Sequence, residues 1–213
     1  MKIEIGKERP VNFKETYPGE LVNNSHFDCG AVVPNVLSLI TTLKENGKHN
    51  ACFYAGSTFA GDNSNYFIIL PGMGQSHTYA NILREREFCV NFISSRYYNA
   101  CGKTIESNGE SDDEINVGGF TAMPCKTIKA PRVEESIVSF ECRLASAHSI
   151  TGNGDNVIII GEVMVAHIEE NSHLLERISG QDGFMYNINS AQNLNSEERM
   201  PYGAAYLTPF EIQ

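Results

Sequence analysis

The chain has 213 residues and a mass of 23.6 kDa, room for one generous domain. With 41% hydrophobic and 20% charged residues it has an ordinary folded composition, which excludes wholesale disorder. Sixteen Lys plus Arg against twenty-six Asp plus Glu leave a net charge of −10, a surface that repels phosphate backbones and argues against nucleic-acid binding.

No apolar run approaches the roughly 20 residues needed to cross a bilayer. The opening Met1 to Pro10 lacks the apolar core of a secretory signal. A soluble, cytoplasmic protein with no membrane partner is therefore expected. The cysteines (Cys29, Cys52, Cys89, Cys101, Cys125, Cys142) are scattered, with no Cys-x-x-Cys pair, and read as buried reduced thiols.

Residues 1–30 are polar and turn-rich, at Tyr17-Pro18-Gly19 and Asn23-Asn24-Ser25, and read as an irregular arm ahead of a single domain over 31–213. Val36 to Leu43 is apolar and β-branched and stops at Glu45-Asn46-Gly47, the Asn-Gly pair favoured in tight hairpins. His49 to Ala55 is the return strand. Its small residues leave room beside the backbone, either for a ligand or for a tightly packed barrel wall. Tyr66 to Leu70 is another strand, broken by Pro71-Gly72-Met73-Gly74. Ser76-His77-Thr78 then leads into a helix with Tyr79, Ile82, Leu83 and Arg86 at helical spacing. Phe88, Val90 and Phe92 share one face of the strand that follows. A short helix is read from Arg96 to Ile105. The acidic run Glu110 to Glu114 reads as a solvated surface turn. Val138 to Leu144 alternates as a half-buried strand, and Val157 to Ile168 returns beside it as an antiparallel partner. Beyond His173 the signals are short and mixed. Hairpin-connected strands with few short helices point to a mainly β fold, a closed or split antiparallel barrel.

Nucleophile-elbow, Walker-type and zincin motifs are absent, and no two histidines pair at metal-ligand spacing. What remains is the strand–loop–helix unit from Tyr66 to Phe88. Free amides and the positive end of the helix dipole there suit a phosphate, and Ser76 and Thr78 add hydroxyls. Ordinary helix capping explains the same residues.

The order of segments is more specific than any one of them. Thr41-Thr42, Asn46-Gly47 and Asn50 come first, then Thr78-x-x-Asn81-Ile82 and Glu87-Phe88-x-Val90-Asn91. Asn99-x-Cys101-Gly102, Gly119-Phe120-Thr121 and Lys129-Ala130-Pro131-Arg132 follow, and Glu141-Cys142-Arg143-Leu144 and Ile160-Gly161-Glu162-Val163 close the series. This resembles the flavin reductase-like family of FMN-binding split barrels, in its flavoredoxin-like branch. The resemblance implies a homodimer binding FMN. It puts the phosphate on Thr78 and Ser76 and on the segment Gly74, Gln75, Ser76 and His77. It puts the ring along Asn50, Ala51 and Cys52, with Ala55 and Ser57 nearby, and Lys129 near the ring's N1–C2 edge. Thr41 and Asn81 complete the implied cofactor-binding set. The implied activity is NAD(P)H-dependent reduction of flavin or a small acceptor. A flavin electron carrier without its own nicotinamide turnover, or a barrel that binds another ligand such as haem, are the alternatives.

Overall fold

A computed structural model describes residues 2–14, 25–106, 108–152, 154–189, 191–196, 198, 200 and 202–211. The turns expected at Tyr17-Pro18-Gly19 and Asn23-Asn24 lie outside the described residues. Inside the expected arm stands a short helix, α1 (His26–Gly30), opened by a capping box between Ser25 and Asp28. It packs through Cys29 against Phe13 and Leu194, so both ends of the chain share a small apolar cluster.

The body is a barrel of long antiparallel strands. The first hairpin, β1 (Asn35–Leu43) and β2 (His49–Ala55), turns where Asn46-Gly47 predicts, with Gly47 at φ +79°. Next come β3 (Thr58–Asp62), β4 (Asn65–Met73), α2 (His77–Glu85) and β5 (Glu87–Ile93). A single 3₁₀ turn leads into α3 (Tyr98–Glu106), followed by α4 (Glu114–Gly118) and the short strands β6 (Ala122–Met123) and β7 (Arg132–Val133). The long hairpin β8 (Ser136–Ser149) and β9 (Asn156–Ile168) closes the body, and α5 (Leu175–Ile178), β10 (Met185–Asn187) and β11 (Ala204–Tyr206) form the tail. Strand order is β11-β10-β1-β5-β8-β9-β4-β3, with β2 on the other edge of β1, and β6 and β7 form a separate pair. Among the described residues β2 pairs with β1 alone and β3 with β4 alone, so the wall opens between β2 and the β3–β4 end of the sheet. That gap is the split of the barrel.

The interior follows the period of two. Ile40, Ile68, Phe88, Val90, Cys142 and Ile159 point into one apolar cluster. Burying each of the large ones contributes roughly 1.5–3 kcal/mol. Gly161 is a glycine because a Cβ there would sit 2.3 Å from the ring of Phe88. Two irregularities bend the long hairpin. Cα partners step from Glu141↔Val165 to Cys142↔Val163, and from Leu144↔Gly161 to Ser146↔Ile160, so Met164 and Ala145 are extra residues in their strands.

Three expectations need correction. Proline does not end β4, which runs through Pro71 and Gly72 to Met73. Pairing with β3 stops at Ile69, so Pro71 lies where β4 is bare on one side and needs no amide donor there, while β9 supports the other side. The exposed strand β3 was not expected, because Thr58-Phe59-Ala60-Gly61-Asp62 carries no buried face. The acidic run is not wholly a solvated turn either. Glu114 is 2% exposed and 2.9 Å from the equally buried Lys44 ammonium, which also donates to the carbonyls of Gly109 and Asp112.

Candidate functional site

On β2 the side chains alternate. Ala51, Phe53 and Ala55 face the cluster built by α3 and α4. Asn50, Cys52 and Tyr54 face the other way, on the same side as Ile40, with Tyr54 packed against the barrel core and Asn50 against the N-terminus of α2. Asn50, 1% exposed, donates through Nδ2 to Thr78 Oγ1 at 3.0 Å. One turn further along α2, Asn81 donates to Thr42 Oγ1 at 3.0 Å, and Thr42 is the register partner of Asn50. Thr42, Asn50, Thr78 and Asn81 thus form a polar clasp that fixes the helix start on the hairpin. All are buried, so each unmade hydrogen bond would cost about 1–3 kcal/mol.

Cys52 and Tyr54 are half-buried beside this clasp. Burial pushes the Cys52 thiol up to about 11, against a hydrogen bond from Thr78 and with the charge of Glu114 adding to the rise. Cys52 is therefore a neutral thiol at physiological pH, not a thiolate nucleophile. Burial likewise pushes the Tyr54 phenol up. A Cβ on Gly72 would meet the Tyr54 hydroxyl at 2.8 Å, so β2 and β4 come close across the split at this point.

Helix α2 supplies the donors. Ser76 caps it, accepting from the Tyr79 amide at 3.1 Å, and the Ala80 amide bonds the Ser76 carbonyl. Helix geometry leaves the amides of His77 and Thr78 with no acceptor inside the helix. His77 lies between Asn108 Oδ1 at 3.1 Å and Glu110 Oε1 at 3.5 Å, with the carboxylate side chain 70% exposed. His49 similarly meets Asp113, so the acidic segment runs past the open end of the helix.

The other expected site residues are spread more widely. The Gly74 amide donates to the Asp155 carbonyl at 3.0 Å, and a Cβ at Gly74 would fall 1.8 Å from the Gly154 carbonyl oxygen. Gln75 bonds the Asp155 carboxylate. Both residues hold the loop against the β8–β9 turn. The Ala51 amide is taken by Glu114 Oε2 at 2.6 Å. Ala55 pairs with Leu37, and the Ser57 hydroxyl lies 3.5 Å from that of Ser38. Thr41, on the reverse face of β1, donates to the Pro131 carbonyl and accepts from Asn91. Lys129 is exposed, with its ammonium 3.4 Å from Glu85 at the C-terminal end of α2, about 13 Å of helix away from Ser76. The chain thus brings Asn50, Cys52, Ser76, His77 and Thr78 together and leaves Thr41 and Lys129 apart from them.

Sequence reasoning missed Tyr54, Glu110 and Glu114. Tyr54 was legible, since it is two residues from Cys52 on the same strand face. The carboxylates were not, because only the tertiary fold sets the 110–114 segment beside His77 and Ala51. Two cavities, of about 160 and 400 Å³, open elsewhere, around Ser94 with Arg177 and around Tyr98 with Tyr206.

For a flavin mononucleotide the donor set fits. The amides of His77 and Thr78, which have no acceptor inside the helix, stand with the Ser76 cap and the His77 imidazole at the start of α2, a donor set of the kind an anionic group takes, beside a half-buried strand face carrying neutral Cys52 and Tyr54. Glu110 is the discordant charge. Among the described residues no helix is long and apolar enough to cross a membrane.

Comparison with known proteins agrees with this architecture. A flavin reductase of Pseudomonas putida is 27% identical over 152 residues, covering 71% of this chain and 84% of that protein. A Shewanella frigidimarina structure with a split barrel domain superposes with a TM-score of 0.71 at 17% identity, covering 88% of this chain and 89% of that one. Flavoredoxin of Desulfovibrio vulgaris gives 0.62 at 18%, covering 94% and 97%. The profile of the flavin reductase like domain matches residues 30–181, well over half the chain, and the protein belongs to that family.

Proposed function

We propose that this protein is a cytoplasmic, homodimeric FMN-binding oxidoreductase that uses NAD(P)H to reduce flavin or a small acceptor. The observation that carries the reading is the clasp of Asn50 and Thr78, which sets the donor end of α2 beside the half-buried face of β2 that carries Cys52 and Tyr54. Amides of His77 and Thr78, with Ser76 and the His77 imidazole, hold the phosphate. Asn50, Cys52 and Tyr54 flank the ring. FMN, when bound, supplies hydride and single-electron chemistry, so no acid–base triad is required of the protein. The chain's own part is to bind and orient the cofactor and to restrict water around it. Cys52, held protonated by burial, adds no charge to that surface.

Fluorescence titration tests the reading. The protein is expected to quench FMN at micromolar concentration with one site per subunit, and to elute from gel filtration at twice the chain mass. No quenching would overturn it. Steady-state oxidation of NADH or NADPH by the loaded protein separates a reductase from an electron carrier, which shows a negligible rate without a separate reductase.

The carboxylate beside His77 gives a further expectation. Glu110 competes with any phosphate for that imidazole, at an exposed position where an ion pair contributes about 0.2–1 kcal/mol. Glu110→Gln is expected to tighten FMN binding by about 1.4- to fivefold at low salt, with the gain fading above physiological ionic strength. Unchanged affinity at low salt would place the phosphate away from His77.

A further inference from the structure

Two of the six free cysteines meet outside the candidate site. Cys89 on β5 is fully buried on the face covered by the segment from Cys125 to Pro131, where it packs with Ile128 and Ala130. Cys125, half-buried, packs against the same cluster, and its thiol interacts with that of Cys89. Glu141 is what brings them together. It stands opposite Cys89 in the β5–β8 ladder and clamps the amides of Lys126 and Thr127, each at 2.6 Å. The residue just before that clamp is Cys125. A carboxylate with both oxygens committed thus pins one thiol-bearing loop over another thiol in the central sheet.

We propose that Cys89 and Cys125 are a reactive dithiol that a hydroperoxide converts to an intramolecular disulfide. The more accessible sulfur, Cys125, attacks the peroxide, the O–O bond breaks, and a sulfenic acid and one water are formed. The Cys89 thiol then displaces the sulfenic hydroxyl as a second water and the S–S bond closes. Two sulfurs give up two electrons in all, and one hydrogen peroxide is reduced to two waters. Cys89 is fully buried whereas Cys125 is half-buried, so the peroxide meets Cys125 and Cys89 suits the second step rather than the first. Cys142 is the neighbouring alternative, but it packs with Phe88 inside the barrel rather than with Ile128 and Ala130. The proposal is independent of FMN binding, since it needs only free hydroperoxide.

Peptide mapping without reductant, on the full chain exposed to hydrogen peroxide, tests it. The expected result is loss of two thiols and a crosslink between the peptides holding Cys89 and Cys125. Cys125→Ser, a change at a half-buried position, should abolish the crosslink with an unchanged far-ultraviolet circular dichroism spectrum. Cys89→Ala should leave a sulfenic acid on Cys125 that dimedone labels. A crosslink from Cys125 to Cys142, or over-oxidised Cys125 with Cys89 still a free thiol in the unmutated protein, would overturn the assignment.

Discussion

Replacing Lys44 with methionine is expected to lower the stability of the fold by about 3–5 kcal/mol, the cost of stranding a buried charge. Lys44 is 3% exposed, and its ammonium meets the Glu114 carboxylate and the carbonyls of Gly109 and Asp112. Removing it leaves two carbonyls and a carboxylate facing a hydrocarbon. Burial already pushes the Glu114 carboxyl up, restrained by Lys44 and by the Ala51 amide, so the variant should hold Glu114 protonated. For a domain of this size the thermal midpoint should fall by roughly 6–20 °C. The double variant Lys44→Met/Glu114→Leu separates charge from volume. It should regain the part owed to the stranded charge, because a buried ion pair gains little over well-packed apolar groups, while the carbonyls of Gly109 and Asp112 and the Ala51 amide stay without these partners. Equal losses in the single and double variants would show that the pair matters through its hydrogen bonds to the backbone of Ala51, Gly109 and Asp112 and not through its charge.

Glu141→Gln should cost about 3 kcal/mol at neutral pH and much less in acid. Burial alone would raise this carboxyl, but hydrogen bonds from His167, the amides of Lys126 and Thr127 and the Thr127 hydroxyl outweigh it. Its pKa falls from 4.5 to about 2. A carboxyl depressed in the folded state binds fewer protons there than when unfolded, so its stabilisation is complete above about pH 5 and is lost as pH falls toward 2. Urea unfolding of the unmutated protein and the glutamine variant at pH 7 and pH 3 measures this directly. The gap between them should shrink from about 3 to about 1 kcal/mol. A gap that does not change with pH would assign the loss to hydrogen-bond geometry instead of ionisation.

Much of the barrel was legible because it obeys local rules. Asn46-Gly47 marks its hairpin, and Phe88, Val90 and Phe92 mark the inward face of β5. Ser76 marks the start of α2. Strands β3 and β10 left no such trace, the first because its side chains are all exposed, the second because three residues pairing with Asn35 and Val36 make no period. At the site, Ser76 and Thr78 were readable as polar residues at a helix start, and Asn50 entered through the family resemblance as part of the strand expected beside the ring. Their meeting depends on the register between β1 and β2 and on Thr42. Charge was the hardest feature to read. Glu114 stands in a run of acidic and small polar residues that looks like any hydrated turn, and only the fold supplies Lys44 as its partner. Lys129 shows the reverse, a basic residue whose neighbour in space is Glu85.

The paired bulges of the long hairpin set what length changes it can absorb. Phe140, Cys142 and Leu144 point into the barrel as even-numbered residues, but past Ala145 it is Ala147 that does so. Excising Ala145 alone would keep Leu144 opposite Gly161, Ser146 opposite Ile160 and Ala147 facing inward, because it removes a residue without a partner, but it would take out the kink in that strand. Excising Ala145 together with Met164 would leave the two strands in step yet take away both of the kinks that let so long a ribbon curl. Insertions and deletions should therefore be tolerated at the hairpin tip, around residues 150–152, and rejected at its two flexures.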